Sequence, residues 1–200
     1  MTRPGSSGEQ RAQERFGTSA RAAAFYAHQT LPHLNPQMQP FIARMDMVFI
    51  ATADGKGACD CSFRAGEPGF VQVLDEKTLV YPEYRGNGVL ASLGNILENP
   101  HIGLIFPDFY QSTVGLHVNG TARVLNPSET ESLSQLSARI AEAAHIKGGR
   151  HPKAWVLIGV EEAYIHCSKH VPLLKRLDKQ IAWGSDDEQA KGGNFFKVTP

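Results

Sequence analysis

The chain has 200 residues, 20 of them basic and 20 acidic, so its formal charge is zero. That length supports one domain with a core of its own, and a balanced charge without a dense basic run argues against a nucleic-acid binder. No apolar run approaches the roughly 20 residues of a membrane span, and three cysteines give no disulfide framework, so a reduced, cytoplasmic compartment is expected.

Residues 1–8 are rich in Gly and Ser and are expected to lack regular structure. The N-terminal stretch carries Arg3, Glu9, Arg11, Glu14 and Arg15 and lacks the apolar segment of a secretory signal. Phe16, Ala20, Ala23, Ala24 and Ala27 recur at helical spacing, interrupted by Gly17-Thr18-Ser19. A short helix is expected after Asn35-Pro36, because Pro suits the first helical position. Both helices are expected to pack outside a sheet.

From Asp46 the period changes. Residues 47–53 form a continuous apolar run, as in a strand buried on both faces. Asp54-Gly55-Lys56-Gly57 is a hairpin turn signal. Residues 58–64 alternate, with Cys59, Cys61 and Phe63 on one face and Asp60, Ser62 and Arg64 on the other. After the turn at Ala65-Gly66-Glu67-Pro68-Gly69, residues 70–74 and 78–81 read as short strands.

Val89, Leu90, Leu93, Ile96 and Leu97 form the apolar stripe of a helix that Asn99-Pro100 ends. Residues 101–106 are a strand, and residues 113–125 a longer one with His117, Asn119, Thr121 and Arg123 on its polar face. Asn126-Pro127 begins another helix, with Leu133, Leu136, Ile140 and Ala144 on its stripe. Residues 154–167 are the last long strand, and Glu161-Glu162 breaks its apolar pattern as a bulge does. Strands in hairpin order with helices at the edges favour an antiparallel barrel over a parallel α/β sheet.

The segment Tyr81-Pro82-Glu83-Tyr84-Arg85-Gly86-Asn87-Gly88 leads directly into a helix. Glycines let the backbone approach a ligand, and free N–H groups at a helix start favour an anion. Arg85 can fork onto phosphate oxygens, and Asn87 can cap the helix or donate to the ligand. The same residues also suit an ordinary strand-to-helix turn with a surface arginine. The Asp60, Ser62 and Arg64 face can meet the same phosphate, or can be a solvated strand face.

The order of these blocks is more specific than any one of them. It runs from a hairpin through Cys59-Asp60-Cys61-Ser62-Phe63-Arg64 and the 81–100 block to His117-Val118-Asn119-Gly120-Thr121-Ala122-Arg123-Val124 and Tyr164-Ile165-His166-Cys167-Ser168-Lys169. Over roughly residues 30–175 this resembles the pyridoxamine 5′-phosphate oxidase-related, FMN-binding split-barrel family. The resemblance implies a mainly β (α+β) fold, a six-stranded antiparallel split β-barrel with peripheral helices. It implies an N-terminal helical extension over 1–30, the FMN-binding domain over 31–175 and a tail over 176–200. It also implies a homodimer with FMN at the interface and a small-molecule substrate, hence an FMN-dependent oxidoreductase. The alternative is a flavin, deazaflavin or haem carrier on the same barrel.

By resemblance the cofactor-binding candidates are Ser62, Arg64, Arg85 and Asn87, with Tyr81, Pro82 and Tyr84 lining the neighbourhood and His166 and Lys169 closing the last strand. Pyridoxamine phosphate oxidase proper carries Arg-x-Val-Leu-Leu-Lys and Ser-Arg-Lys elements where this chain has Cys61-Ser62-Phe63-Arg64 and Arg85-Gly86-Asn87. The resemblance is therefore to the broad family rather than to that enzyme. No metal site is expected, since Cys59 and Cys61 are spaced as Cys-x-Cys, and no catalytic acid or base stands out.

Overall fold

The computed structural model describes residues 4–126, 128–129, 152–179, 187 and 192–198. Beyond Glu129, the helix expected after Pro127 lies outside the described residues. Helix α1 (Ser7–Arg15) begins inside the stretch expected to lack structure. The reason is a capping box: the Glu9 N–H donates to the Ser6 hydroxyl at 3.1 Å, while the Glu9 carboxylate accepts from the Ser6 N–H. After a break at Gly17, α2 (Ser19–Gln29) folds back, and the Tyr26 hydroxyl donates to Glu9 at 2.9 Å. Neither α1 nor α2 buries a residue, whereas the helix after Asn35-Pro36 sends Ile42 into the core.

Strand β1 (Thr30–Leu31) follows, then α3 (Met38–Ala43), β2 (Met47–Ala53), β3 (Cys59–Ala65), β4 (Gln72–Asp75) and β5 (Thr78–Glu83). Helix α4 (Ala91–Glu98) precedes β6 (His101–Pro107), β7 (Gly115–Leu125) and β8 (Ala154–His166). All strands pair antiparallel in one sheet of order β3-β2-β6-β7-β8-β5-β4, with β1 added beside the C-terminal half of β8. The sheet thus has eight strands rather than six, and β3 and β4 do not pair to close it. The eighth strand is the two-residue β1, too short to show a period.

One apolar core joins Val48 and Ile50 of β2, Leu79 and Tyr81 of β5, Leu104, Val118 and Ile158 of the central strands, and Leu93 and Ile96 of α4. Strands from both halves of the sheet therefore meet the same core, so the sheet curls around it. The run in β2 was expected to be buried on both faces. It is buried on one: Val48, Ile50 and Thr52 point inward, while Phe49 is half-buried and Ala51 exposed. The alternation in β3 holds, but its cysteine face is the exposed one.

Glu161 is the extra residue of a bulge, because Asn119 pairs Glu162 while Gly120 pairs Val160. The broken apolar pattern at Glu161-Glu162 marks that position. Beyond β6, the buried Asp108 carboxylate accepts from the N–H groups of Tyr110, Gln111 and Ser112 at 3.0–3.1 Å, from the Ser112 hydroxyl at 2.7 Å, and pairs Arg44 at 3.0 Å. Burial alone pushes this carboxyl up, but the hydrogen bonds outweigh it and hold the group at about 2.

A depressed folded pKa adds stability above the unfolded value of roughly 4, lost as pH falls through about 2. The shift corresponds to roughly 2 kcal/mol. Urea unfolding at about pH 7 is expected to show Asp108→Asn less stable than the parent by roughly that amount, and at about pH 2 the two should coincide. A gap that persists at the acid end contradicts this assignment.

Candidate functional site

The turn between β2 and β3 sets the geometry. The Asp54 carboxylate accepts the N–H groups of Lys56 and Ala58 at 2.9 and 2.8 Å, which locks the hairpin and its register. Even-numbered residues of β3 then face inward, toward α4 and the end of β5. There Asp60, Ser62 and Arg64 meet Ser92 in the first turn of α4 and Glu83 at the end of β5.

These five side chains form one network. Arg64 donates from Nε to Glu83 at 3.0 Å and from a terminal nitrogen to the Ser92 hydroxyl at 3.3 Å. The hydroxyls of Ser62 and Ser92 both donate to one Asp60 carboxylate oxygen, at 2.8 and 3.1 Å. Glu83 and Ser92 are only 6% and 2% exposed. Burial pushes the Glu83 carboxyl up, opposed by the Arg64 guanidinium beside it. The corner thus holds one guanidinium among two carboxylates and two hydroxyls.

Tyr81 shares the inward face of β5 with Glu83. Its fully buried hydroxyl has no hydrogen-bond partner among the described residues. Burial pushes this phenol up, Glu83 adds to the effect and Arg64 opposes it. A buried hydroxyl left unpaired costs free energy, so a water or a ligand group that reached this one would be stabilised there.

The crossing from β5 to α4 turns on Gly86 and Gly88, whose φ angles of 53° and 83° lie in the left-handed region. The Gly88 N–H donates to the Arg85 carbonyl at 2.9 Å, and the Val89 N–H to the Asn87 side chain at 2.9 Å. Asn87 therefore closes its own turn and does not cap α4. The residue before the helix is Leu90, at φ 56°, and no side chain caps the helix start. A left-handed residue with a Cβ costs about 1–2 kcal/mol, and such outliers concentrate at ligand sites. The uncapped N–H groups of the first turn lie beside Ser92, and so beside Arg64.

The expected site residues divide into groups. Ser62 and Arg64 come together through Ser92, and Tyr81 lies on β5. Tyr84 is half-buried on the crossing, with its phenol pushed up by burial. Arg85 and Asn87 are exposed on the glycine turn, outside the network. Pro82 is buried on the opposite face of β5, across from Trp155, which packs in a second apolar cluster with Val80 and Leu125. Lys169 is exposed on the short 3-10 turn Ser168–His170.

His166 belongs to a different cluster, on the outer face of the sheet. Its Nδ1 lies 3.0 Å from Nε2 of His117, whose ring stacks on Tyr164 at 4.7 Å. Burial and then His166 push the His117 imidazole down, while Glu162 opposes. Glu162 itself accepts from Asn119 at 2.7 Å. Among the described residues no three His, Cys, Asp or Glu side chains gather as a metal site requires.

The sequence reading missed Glu83 and Ser92 as site residues. Alternation along β5 puts Glu83 on the same side as Leu79 and Tyr81, a signal that was present. Ser92 carried no signal, because the expected helix start lay near Gly88 and would have placed it in the second turn.

Residues 34–167 match the family model described as pyridoxamine 5′-phosphate oxidase. Solved structures to which the chain is similar include a HupZ variant from Group A Streptococcus, 24% identical, covering 66% of this chain and 99% of that one with a TM-score of 0.49. Another is a Lactobacillus delbrueckii protein provisionally assigned as a pyridoxamine 5′-phosphate oxidase, at 22% identity, 68% and 98% coverage and a TM-score of 0.46. HutZ, the heme storage protein of Vibrio cholerae, is 13% identical over 66% of this chain and 93% of that one, with a TM-score of 0.43. No curated relative matches the chain.

Proposed function

The chain belongs to the pyridoxamine 5′-phosphate oxidase family, and on that premise we propose that it is an FMN-binding oxidoreductase that seats the phosphate of FMN at the first turn of α4. The observation that carries this reading is the convergence of Arg64, Ser62, Ser92 and the uncapped helix N–H groups on one corner. A helix start supplies oriented donors and a favourable dipole, the guanidinium supplies charge and a fork, and the unpaired Tyr81 hydroxyl marks an unmet polar need beside them. The donor set fits a phosphate monoester, provided the carboxylates of Glu83 and Asp60 yield their hold.

When bound, FMN supplies hydride acceptance from a small-molecule donor. The chain's part is placement. Arg64 and the two serines fix the anionic end, α4 holds the serine and its amides at the seat, and Asn95 ties α4 to Thr52 of β2 at 3.0 Å. No general acid or base is assigned.

The outer face suits a second copy of the chain. Phe63 is 52% exposed there and its ring lies 5.3 Å from that of Phe49, with Cys59, Cys61 and Ala51 also exposed. A homodimer covering this apolar strip, with the cofactor at its edge, is part of the proposal. Among the described residues no helix is long and apolar enough to cross a membrane. Three unpaired cysteines suit a reduced, cytoplasmic setting.

The His117–His166 pair favours a second reading, because the contact of His166 Nδ1 with His117 Nε2 at 3.0 Å orients the half-buried His166 ring and leaves its Nε2 as an axial ligand for haem iron. Native mass spectrometry of the purified protein separates the readings. The expected result is the mass of FMN. A deazaflavin mass would keep the seat and change the ring, and haem lost on His166→Ala would favour the second reading. Protein that arrives without cofactor and takes up none of the three contradicts both.

A further inference from the structure

We infer that Glu83 is the internal competitor of the ligand's phosphate for Arg64, so that a phosphate monoester enters this corner together with a proton. The inference deepens the FMN reading and rests on it. Glu83 holds Arg64 at 3.0 Å while almost entirely out of water, so the guanidinium is already engaged before any ligand arrives. When Arg64 turns its N–H groups to a phosphate, the buried carboxylate loses its counter-charge. If Nε keeps its bond to Glu83 and only the terminal nitrogens reach the phosphate, two anions then share one cation in a dry corner. In both cases the ionised form of Glu83 is disfavoured, because a buried unpaired or crowded carboxylate neutralises instead.

Among the described residues, Arg64 is the charged side chain that Glu83 meets. From β3 the charged neighbours are Arg64 and, through Ser92, Asp60. From α4 only the Ser92 hydroxyl joins the network, and from β5 itself only the Tyr81 phenol, which burial keeps neutral. On the β8 side the residue facing Glu83 is Ala154, and Lys153 contributes its backbone N–H to the Glu83 carbonyl at 2.8 Å while its side chain is exposed. The proton comes from solvent and lands on a Glu83 carboxyl oxygen. It leaves again when the phosphate does. A flavin without phosphate makes no claim on Arg64 and carries no proton in.

Calorimetric titration with FMN at about pH 7.5, in two buffers of different ionisation enthalpy, counts the protons taken up. At that pH the phosphate itself is already dianionic, its second pKa being roughly 6. The parent is expected to take up a large fraction of one proton with FMN and none with riboflavin. Its FMN affinity should weaken, by at most about tenfold per pH unit, as pH rises beyond 7. Glu83→Gln should abolish the uptake and flatten that pH dependence. FMN binding without proton uptake in the parent, or with undiminished uptake in Glu83→Gln, overturns the inference and leaves the FMN reading standing. Failure of the parent to bind FMN overturns both. The parent measurement decides the matter alone if Glu83→Gln folds poorly.

Discussion

Arg64→Ala is expected to cost about 3 kcal/mol of folding stability near pH 8, the low end for breaking a buried ion pair, and clearly less near pH 5. The low end applies because the Arg64 side chain is 23% exposed, whereas Glu83 is nearly dry. What the substitution leaves behind is an uncompensated buried carboxylate. Glu83 already sits above its ordinary range in the parent, and losing Arg64 drives it higher. A carboxyl whose folded pKa exceeds its unfolded value of roughly 4.3 binds more protons folded than unfolded. Its penalty is therefore absent below that value, grows as pH rises through the window, and is full above the folded pKa. Denaturant unfolding at the two pH values measures this directly. Adding Glu83→Gln to Arg64→Ala should restore much of the loss near pH 8, because a neutral amide needs no counter-charge. A pH-independent loss, or no recovery in the double variant, would show that Arg64 contributes packing rather than charge.

Gly120→Ala is expected to be at least as damaging, by about 3 kcal/mol or more, from overpacking against backbone that has nowhere to go. A Cβ at Gly120 would lie 2.0 Å from the Gly159 carbonyl oxygen, at the bulge where the β7–β8 pairing shifts. These are the two longest strands, and β8 also carries β5 and β1, so the strain falls on the scaffold that positions Glu83. The internal control is Gly94→Ala. Nothing lies within 4 Å of a Cβ there, in the middle of α4, and alanine should raise stability by up to about 1 kcal/mol. Thermal melts of the two variants should therefore move in opposite directions. A tolerated Gly120→Ala would mean the β7–β8 pairing is not as close as the structure has it.

Much of the scaffold could be read from the residues because strand periods are local. The Asp54 turn, the alternation of β3 and the bulge at Glu161 each leave a pattern within a few positions. The number of strands was harder, since Thr30–Leu31 is a strand only because β8 is beside it. The apolar run of β2 also misled. Composition says a residue prefers burial, not which side of the sheet is covered, and Ala51 is exposed on the side left open.

The corner shows the same division. Arg64 and Ser62 were legible as one face of a strand. Their partners were not, because a glutamate at a strand end reads as a solvated charge, and only the tertiary fold places it against Arg64. The proposed seat lies beyond the glycine turn. Gly86 and Gly88 suggested an open cradle at 85–88, yet the Gly88 and Val89 N–H groups are spent within the turn. The donors left without a side-chain cap lie after Leu90, whose left-handed backbone no propensity would assign to leucine.

The most direct test compares two ligands that differ only in the group this corner is proposed to hold. Parallel fluorescence titrations of the parent protein with FMN and with riboflavin should show FMN binding more tightly by about 10- to 150-fold, the equivalent of roughly 1.5–3 kcal/mol for hydrogen bonds to a charged group. Equal affinities for the two, or no binding of FMN, would contradict a phosphate seat at Arg64 and the first turn of α4.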